Sequence, residues 1–296
     1  MQSVKVRVPA TSANLGPGFD SLGIALSLYA DFEFEILEDG LVIEGCPEEY
    51  RTENNLVYTA FRGLYWRLGK RAPGVKIKIH SEIPPTRGLG SSSAMLTGGV
   101  LAANHFLGNP YSRAQLLQIL TEFEGHPDNV SPCLYGGLTA TAVQGEKPYM
   151  ASFPVNDRVK FCAMIPSFEL STSASRMAIP TVVNHKDAVY NVSRIALLLK
   201  AFEDANAELF SVALNDRLHQ PYREHLIDDY KTVRLNALGC GACGLYLSGA
   251  GPTVIAVYFD DEVPGRIQKL LSGIRNEWIV KELQVDKTGA QIVEEA

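Results

Sequence analysis

The stretch Ile83–Gly99, IPPTRGLGSSSAMLTGG, decides how this chain is read. Gly88, Gly90 and the serines Ser91, Ser92 and Ser93 stand between a double-proline turn and an apolar run, with no lysine among them. A linker has similar composition, but a linker is not followed at once by a helix-forming segment. Glycines let backbone amides approach a ligand without an intervening side chain. A helix opening near Ser92 exposes unpaired N–H groups and partial positive charge. Serine hydroxyls bond phosphate oxygens or reach a magnesium ion, which favours oxygen ligands. The loop therefore suits phosphate, although an N-capped helix after a loose turn has the same composition. It is neither a Gly-Lys-Ser/Thr loop nor a three-glycine dinucleotide fingerprint. The literal G-x-G-x-x-G at Gly239–Gly244 follows a helical stretch and precedes a strand, the reverse of the dinucleotide context.

Outward from the loop, period-2 alternation marks strands with one buried face at Val4, Val6, Val8, at Phe32, Phe34, Ile36, and at Val75, Ile77, Ile79. Helical spacing follows in 53–69, with Leu56, Ala60, Leu64 and Leu68, and in the small-residue run 91–109. A third helix, 111–125, opens with Ser112 and Gln115 as a capping box and ends at Gly125, with Glu124 on its last turn. In the second half, 158–166 reads as strand, 191–214 as helix with room for one break, and 245–259 as strand, tight glycine turn, strand. Strands and helices that do not alternate regularly indicate an α+β protein. A length of 296 residues suits two domains, divided near residue 155 into 1–155 and 156–296.

Composition narrows the function. A net charge of −6 without a basic stripe argues against a nucleic-acid partner. No apolar run approaches the ~18 residues of a membrane span, and the start reads as a strand rather than a signal core, so a cytoplasmic protein is expected. The five cysteines, Cys46, Cys133, Cys162, Cys240 and Cys243, are odd in number and scattered, which suits small buried residues better than a disulfide framework.

Three further stretches are dense in chemistry. In Pro9–Leu26, Asn14 and Asp20 flank a Gly16-Pro17-Gly18 turn that can aim an amide and a carboxylate into one pocket, or simply form an Asx-turn. Glu124–Pro132 gathers Glu124, His126, Asp128 and Asn129 after a helix end, a set too poor in ligands for zinc. Ser248–Thr253 joins two strands through glycines that would allow close packing.

Together and in order, Pro9–Leu26, Gly88–Ala94, Glu124–Pro132 and Leu247–Val254 resemble the motifs of the GHMP small-molecule kinases. The first and third resemble most those members that phosphorylate L-homoserine. The resemblance implies an α+β, two-domain fold, with a ribosomal-protein-S5-like nucleotide domain and then a ferredoxin-like domain. It implies ATP-dependent phosphorylation of the L-homoserine hydroxyl with Mg2+, giving O-phospho-L-homoserine for threonine synthesis. Carried over by position, Pro84, Arg87, Gly88, Leu89, Gly90, Ser91, Ser92, Ser93 and Ala94 would wrap the phosphates, and Asn54, Leu56 and Val57 would meet adenine. Ser92 and Glu124 would hold Mg2+. Asn14, Asp20, His126 and Asn129 would hold homoserine and, with Glu124, form the catalytic group. Arg176 and Arg223 would take the substrate carboxylate, with Thr172 near the first, and Asp20 its ammonium. No general base is assigned. Family members are often dimers, so a homodimer is compatible. A GHMP kinase for mevalonate or a sugar, a non-catalytic ligand sensor and an RNA-binding S5-like protein are the rival readings; the negative charge disfavours the last.

Overall fold

A computed structural model describes residues 2–295. The first sheet has seven strands. Its centre is β1 (Ser3–Ala13), the long β2 (Leu22–Leu37) and, after the short β3 (Leu41–Glu44) and helix α1 (Leu56–Arg67), β4 (Gly74–Ser81). The alternation seen in sequence becomes register. Val6 pairs with Phe32 and Phe32 with Ile79; Val4 pairs with Phe34 and Phe34 with Ile77. All six side chains are buried on one face, each burial contributing about 1.5–3 kcal/mol.

Against that face lie α1 and α2 (Ser91–Phe106). Phe61 of α1 stacks on Phe34 with ring centroids 5.7 Å apart. The two helices touch so closely that a Cβ on Gly99 would lie 2.2 Å from the Val57 carbonyl oxygen, which is one reason the stretch after the serines is made of small residues. Next come α3 (Arg113–Glu124), α4 (Pro127–Tyr135) and the hairpin β5 (Leu138–Gln144) with β6 (Lys147–Phe153). Both hydrogen bonds of the Ser112/Gln115 capping box are present.

The second sheet begins with β7 (Lys160–Pro166). Helices α5 (Thr172–Met177), α6 (His185–Asp204), α7 (Ala207–Ala213), α8 (Gln220–Arg223) and α9 (Tyr230–Gly239) follow. Then come β8 (Gly244–Leu247), β9 (Val254–Tyr258), α10 (Val263–Leu271) and β10 (Trp278–Leu283). The break expected after α6 occurs at left-handed Ala205, and Asn206 caps α7. The strand order β10-β7-β9-β8, antiparallel throughout, is the ferredoxin-like arrangement. Gly239–Gly244 joins α9 to β8, as its sequence context required. All five cysteines are free thiols, three of them buried.

The expected division near residue 155 falls between β6 and β7. The last strand, β11 (Gln291–Glu295), then crosses back and pairs with β1, so the first sheet also draws on the C-terminal end of the described chain. Among the described residues no helix is long and apolar enough to cross a membrane.

Candidate active site

The glycine–serine loop stands at the entrance of α2. Gly90 precedes the helix in a left-handed conformation, and no side chain caps that end. The first-turn amides are left to whatever the loop binds. Leu89, Ser93 and Ala94 are buried beneath the loop and Pro84 is half-buried, while Ser92 is exposed. A Cβ on Gly88 would lie 2.3 Å from the Ser248 carbonyl oxygen and 2.8 Å from that of Gly251. The loop therefore packs backbone against backbone on the turn between β8 and β9. Ser248 Oγ donates to the Gly88 carbonyl at 2.6 Å, and Thr253 N–H to that of Arg87 at 3.3 Å.

Arg87 departs from expectation. Its guanidinium donates to the carbonyls of Pro166 (3.0 Å) and Ser167 (2.6 Å) and pairs with Glu169 (3.2 Å). It braces the loop to the end of β7, so its side chain is engaged away from the loop's helix end.

Glu124 arrives at the loop from the C-terminus of α3. Ser92 Oγ donates to its Oε2 at 2.9 Å and Ser93 Oγ to its Oε1 at 3.0 Å. A carboxylate and hydroxyls at a helix N-terminus are the hard oxygen donors that magnesium takes. The donor set fits the ion.

Gly125, left-handed, turns the chain at once into α4, with His126 just before it and Pro127 at its first position. That two-residue turn was not expected to open a helix. It brings Glu124, His126 and Asn129 to one place. His126 Nδ1 donates to Asp128 Oδ1 at 2.7 Å. This bond to the buried Asp128 is the main reason the imidazole pKa is raised, with burial opposing it. Asn129 receives a hydrogen bond from Thr11 Oγ1 at 2.8 Å on its Oδ1. Its other amide face, Nδ2, is a donor for a ligand.

The third group surrounds Phe19. Arg176 and Arg223 both lie over its ring, at 5.6 and 5.3 Å. Arg176 also forms a bidentate pair with Asp20, both bonds 2.9 Å, and that pair is partly exposed to solvent. Arg223 is 2 % exposed and, among the described residues, pairs with no carboxylate. It donates to the carbonyls of Gly249 (3.0 Å) and Ser175 (3.4 Å). Burial, reinforced by Arg176, lowers its pKa to about 10.

Asn14 was expected to touch substrate. Its side chain is buried instead, donating to the Gly249 carbonyl (2.9 Å) and accepting from the Asp20 N–H (2.9 Å). Asn14, Leu15, Gly16 and Asp20 all have positive φ, so this amide holds a tightly coiled turn and with it Asp20. Gly249 thus joins the groups: its carbonyl serves Asn14 and Arg223, while neighbouring Ser248 grips the phosphate loop.

The remaining expectations are more peripheral. Thr172, first residue of α5, is exposed. Asn54 and Leu56 are exposed ahead of and at the start of α1, but Val57 is a core residue whose side chain cannot face a nucleotide. Thr11, Phe19, Ser175, His219 and Ser248 were not picked out from sequence. Phe19 had a signal, standing between the glycine turn and Asp20; His219 had one too, four residues before Arg223.

Comparison with known proteins places the whole chain in one family. The model of the GHMP kinases N terminal domain matches residues 55–137, and that of the GHMP kinases C terminal domain matches 196–272. The chain is 41% identical over 291 residues to a homoserine kinase of Clostridium botulinum (strain Okra), covering 98% of each. It is 42% identical over 294 residues to one of Clostridium beijerinckii, covering 98% of this chain and 99% of that one. The crystal structure of homoserine kinase from Cytophaga hutchinsonii superposes with a TM-score of 0.88 at 27% identity, over 98% of this chain and 97% of the other. The fold is that of the GHMP kinases. Within that class, the chain belongs to the homoserine kinase family.

Proposed function

We propose that this chain transfers the γ-phosphoryl group of ATP to the side-chain hydroxyl of L-homoserine, giving O-phospho-L-homoserine. The observation that carries this reading is the arrangement around Phe19. Two guanidinium groups lie over a single ring, one paired with the Asp20 carboxylate and the other bonded to Gly249, whose neighbour Ser248 holds the glycine–serine loop. A zwitterionic amino-acid alcohol matches that set. Its ammonium takes Asp20, and its carboxylate takes Arg176 and the free edge of Arg223. The partly exposed Asp20–Arg176 pair is exchanged for two pairs, a modest loss because solvent-exposed ion pairs contribute little. Mevalonate or a sugar, lacking the ammonium, leaves Asp20 without its match.

Phosphoryl transfer needs positioning and charge neutralisation more than covalent help. The first-turn amides of α2 bind phosphate oxygens. Ser92 and Glu124 would hold Mg2+, which when bound neutralises charge on the β- and γ-phosphates. Asn129, oriented by Thr11, donates from Nδ2 to substrate oxygen, and His126 is fixed by its bond to Asp128, which raises its pKa. Asn14 acts by holding Asp20 in place. The test is turnover with Mg-ATP across homoserine, serine, mevalonate and galactose with the product identified; phosphorylation of another alcohol in preference to homoserine would refute the assignment.

A further inference from the structure

Arg223 is a buried cation, and one of its three hydrogen-bond partners is a residue with no part in the chemistry above. His219 lies one helical turn earlier with its side chain fully buried. Its ring stacks on Phe19 at 5.2 Å with the planes 24° apart. Nε2 lies 2.8 Å from the Gly16 carbonyl oxygen and 3.5 Å from Asp216 Oδ2. Both neighbours are acceptors, so Nε2 must carry the proton. Nδ1 then presents a lone pair, and it faces Arg223 Nη1 at 3.3 Å. The two Nη1 hydrogens are divided between His219 Nδ1 and the Gly249 carbonyl, while Nε–H goes to the Ser175 carbonyl. Nη2 makes no hydrogen bond within the described residues and keeps two donors.

The backbone around His219 is equally fixed. The carboxylate of Asp216 accepts from the N–H groups of Leu218, His219 and Gln220 and from the Asn191 amide. Burial lowers the imidazole pKa; nearby Asp216 opposes this and Arg223 adds to it.

We infer that His219 is a positioning residue: with its proton on Nε2 it holds the Arg223 guanidinium so that the Nη2 edge serves the substrate carboxylate. This rests on the reading of Arg223 as a carboxylate ligand. A proton on Nδ1 would place N–H against N–H and turn that edge away.

Two amides separate the roles of the ring nitrogens. In His219→Gln the amide reaches toward Gly16, as Nε2 does, but offers Arg223 nothing at the Nδ1 position. In His219→Asn the shorter side chain places its oxygen near the Nδ1 position. The experiment compares KM and kcat for L-homoserine and for its carboxamide, which lacks the negative charge. The expected result is a rise in KM for homoserine of about tenfold in His219→Gln, the scale of a hydrogen bond to a charged group. Its kcat and its KM for the amide should stay near wild type, and His219→Asn should retain most of the acid-over-amide preference. Equal losses for acid and amide in both variants would make His219 a purely structural residue and overturn the inference. If wild type does not prefer the acid and Arg223→Met changes nothing, the carboxylate reading fails and takes this inference with it. Should the variants not fold, 15N-histidine spectra of the wild-type enzyme decide: an Nε2-protonated His219 supports the inference, an Nδ1-protonated ring overturns it.

Discussion

Arg176 and Asp20 face each other as a fork and a carboxylate, Nη1 to Oδ2 and Nη2 to Oδ1, each 2.9 Å. They come from opposite halves of the chain, 156 positions apart. The fork fixes the direction of both side chains, and its partial exposure leaves it open enough for an ammonium and a carboxylate to replace each partner. In Asp20→Asn the preference for homoserine over 4-hydroxybutanoate, which lacks the amine, should fall about tenfold or more. Steady-state KM values for the two substrates measure it. An Asp20→Ala enzyme that loses turnover but keeps full homoserine affinity would contradict the ammonium role.

Glu124 receives two serine hydroxyls at the N-terminus of α2 and is proposed to hold Mg2+ with Ser92. Replacing it with glutamine keeps the shape and removes the charge. The expected loss in kcat is on the order of 100-fold, with a higher Mg2+ concentration needed for half-maximal rate. A variant with unchanged kcat and Mg2+ dependence would remove Glu124 from the metal site.

Gly88 has φ +75, and a Cβ there would run into two carbonyl oxygens of the facing turn. Gly88→Ala should cost about 1–2 kcal/mol for the left-handed conformation alone and should also push the phosphate loop off Ser248. Thermal melts and ATP titration report the two effects. ATP affinity and melting temperature both equal to wild type would show that the loop does not need this contact.

The His126–Asp128 pair sets a pH dependence. The folded imidazole pKa is raised, so its stabilisation is fully present below the unfolded value of about 6.5 and is lost as pH rises through the raised folded value. The stability difference between wild type and Asp128→Asn should therefore be greatest at acid pH and shrink toward alkaline pH in a series of urea melts. A difference that is constant with pH would mean that the pair does not couple to protonation.

The legible parts of this fold were those where one residue type can serve one purpose. Valines and phenylalanines at period 2 identified β1, β2 and β4, because a one-residue slip would turn every apolar side chain to water. Ser112 and Gln115 identified the start of α3, because their bonds are local. What escaped was set by partners distant in sequence. β11 exists as a strand by pairing with β1, and the short helix α4 opens on a proline that reads equally well as a turn. In the site, the loop composition and the clustered Glu124, His126 and Asn129 were visible. The inward direction of Val57, the bracing role of Arg87 and the burial of Asn14 were not, since each depends on which surface the side chain meets after packing.

The most direct test is ADP release from Mg-ATP with L-homoserine, L-serine, mevalonate and galactose offered separately, the phosphorylated product being identified in each case. Turnover with homoserine and not with the other three, yielding O-phospho-L-homoserine, is the predicted result. Turnover with mevalonate or galactose instead would keep the phosphate loop and the Ser92–Glu124 pair but contradict the roles given to Asp20, Arg176 and Arg223, and bound ATP with no turnover on any alcohol would contradict the kinase itself.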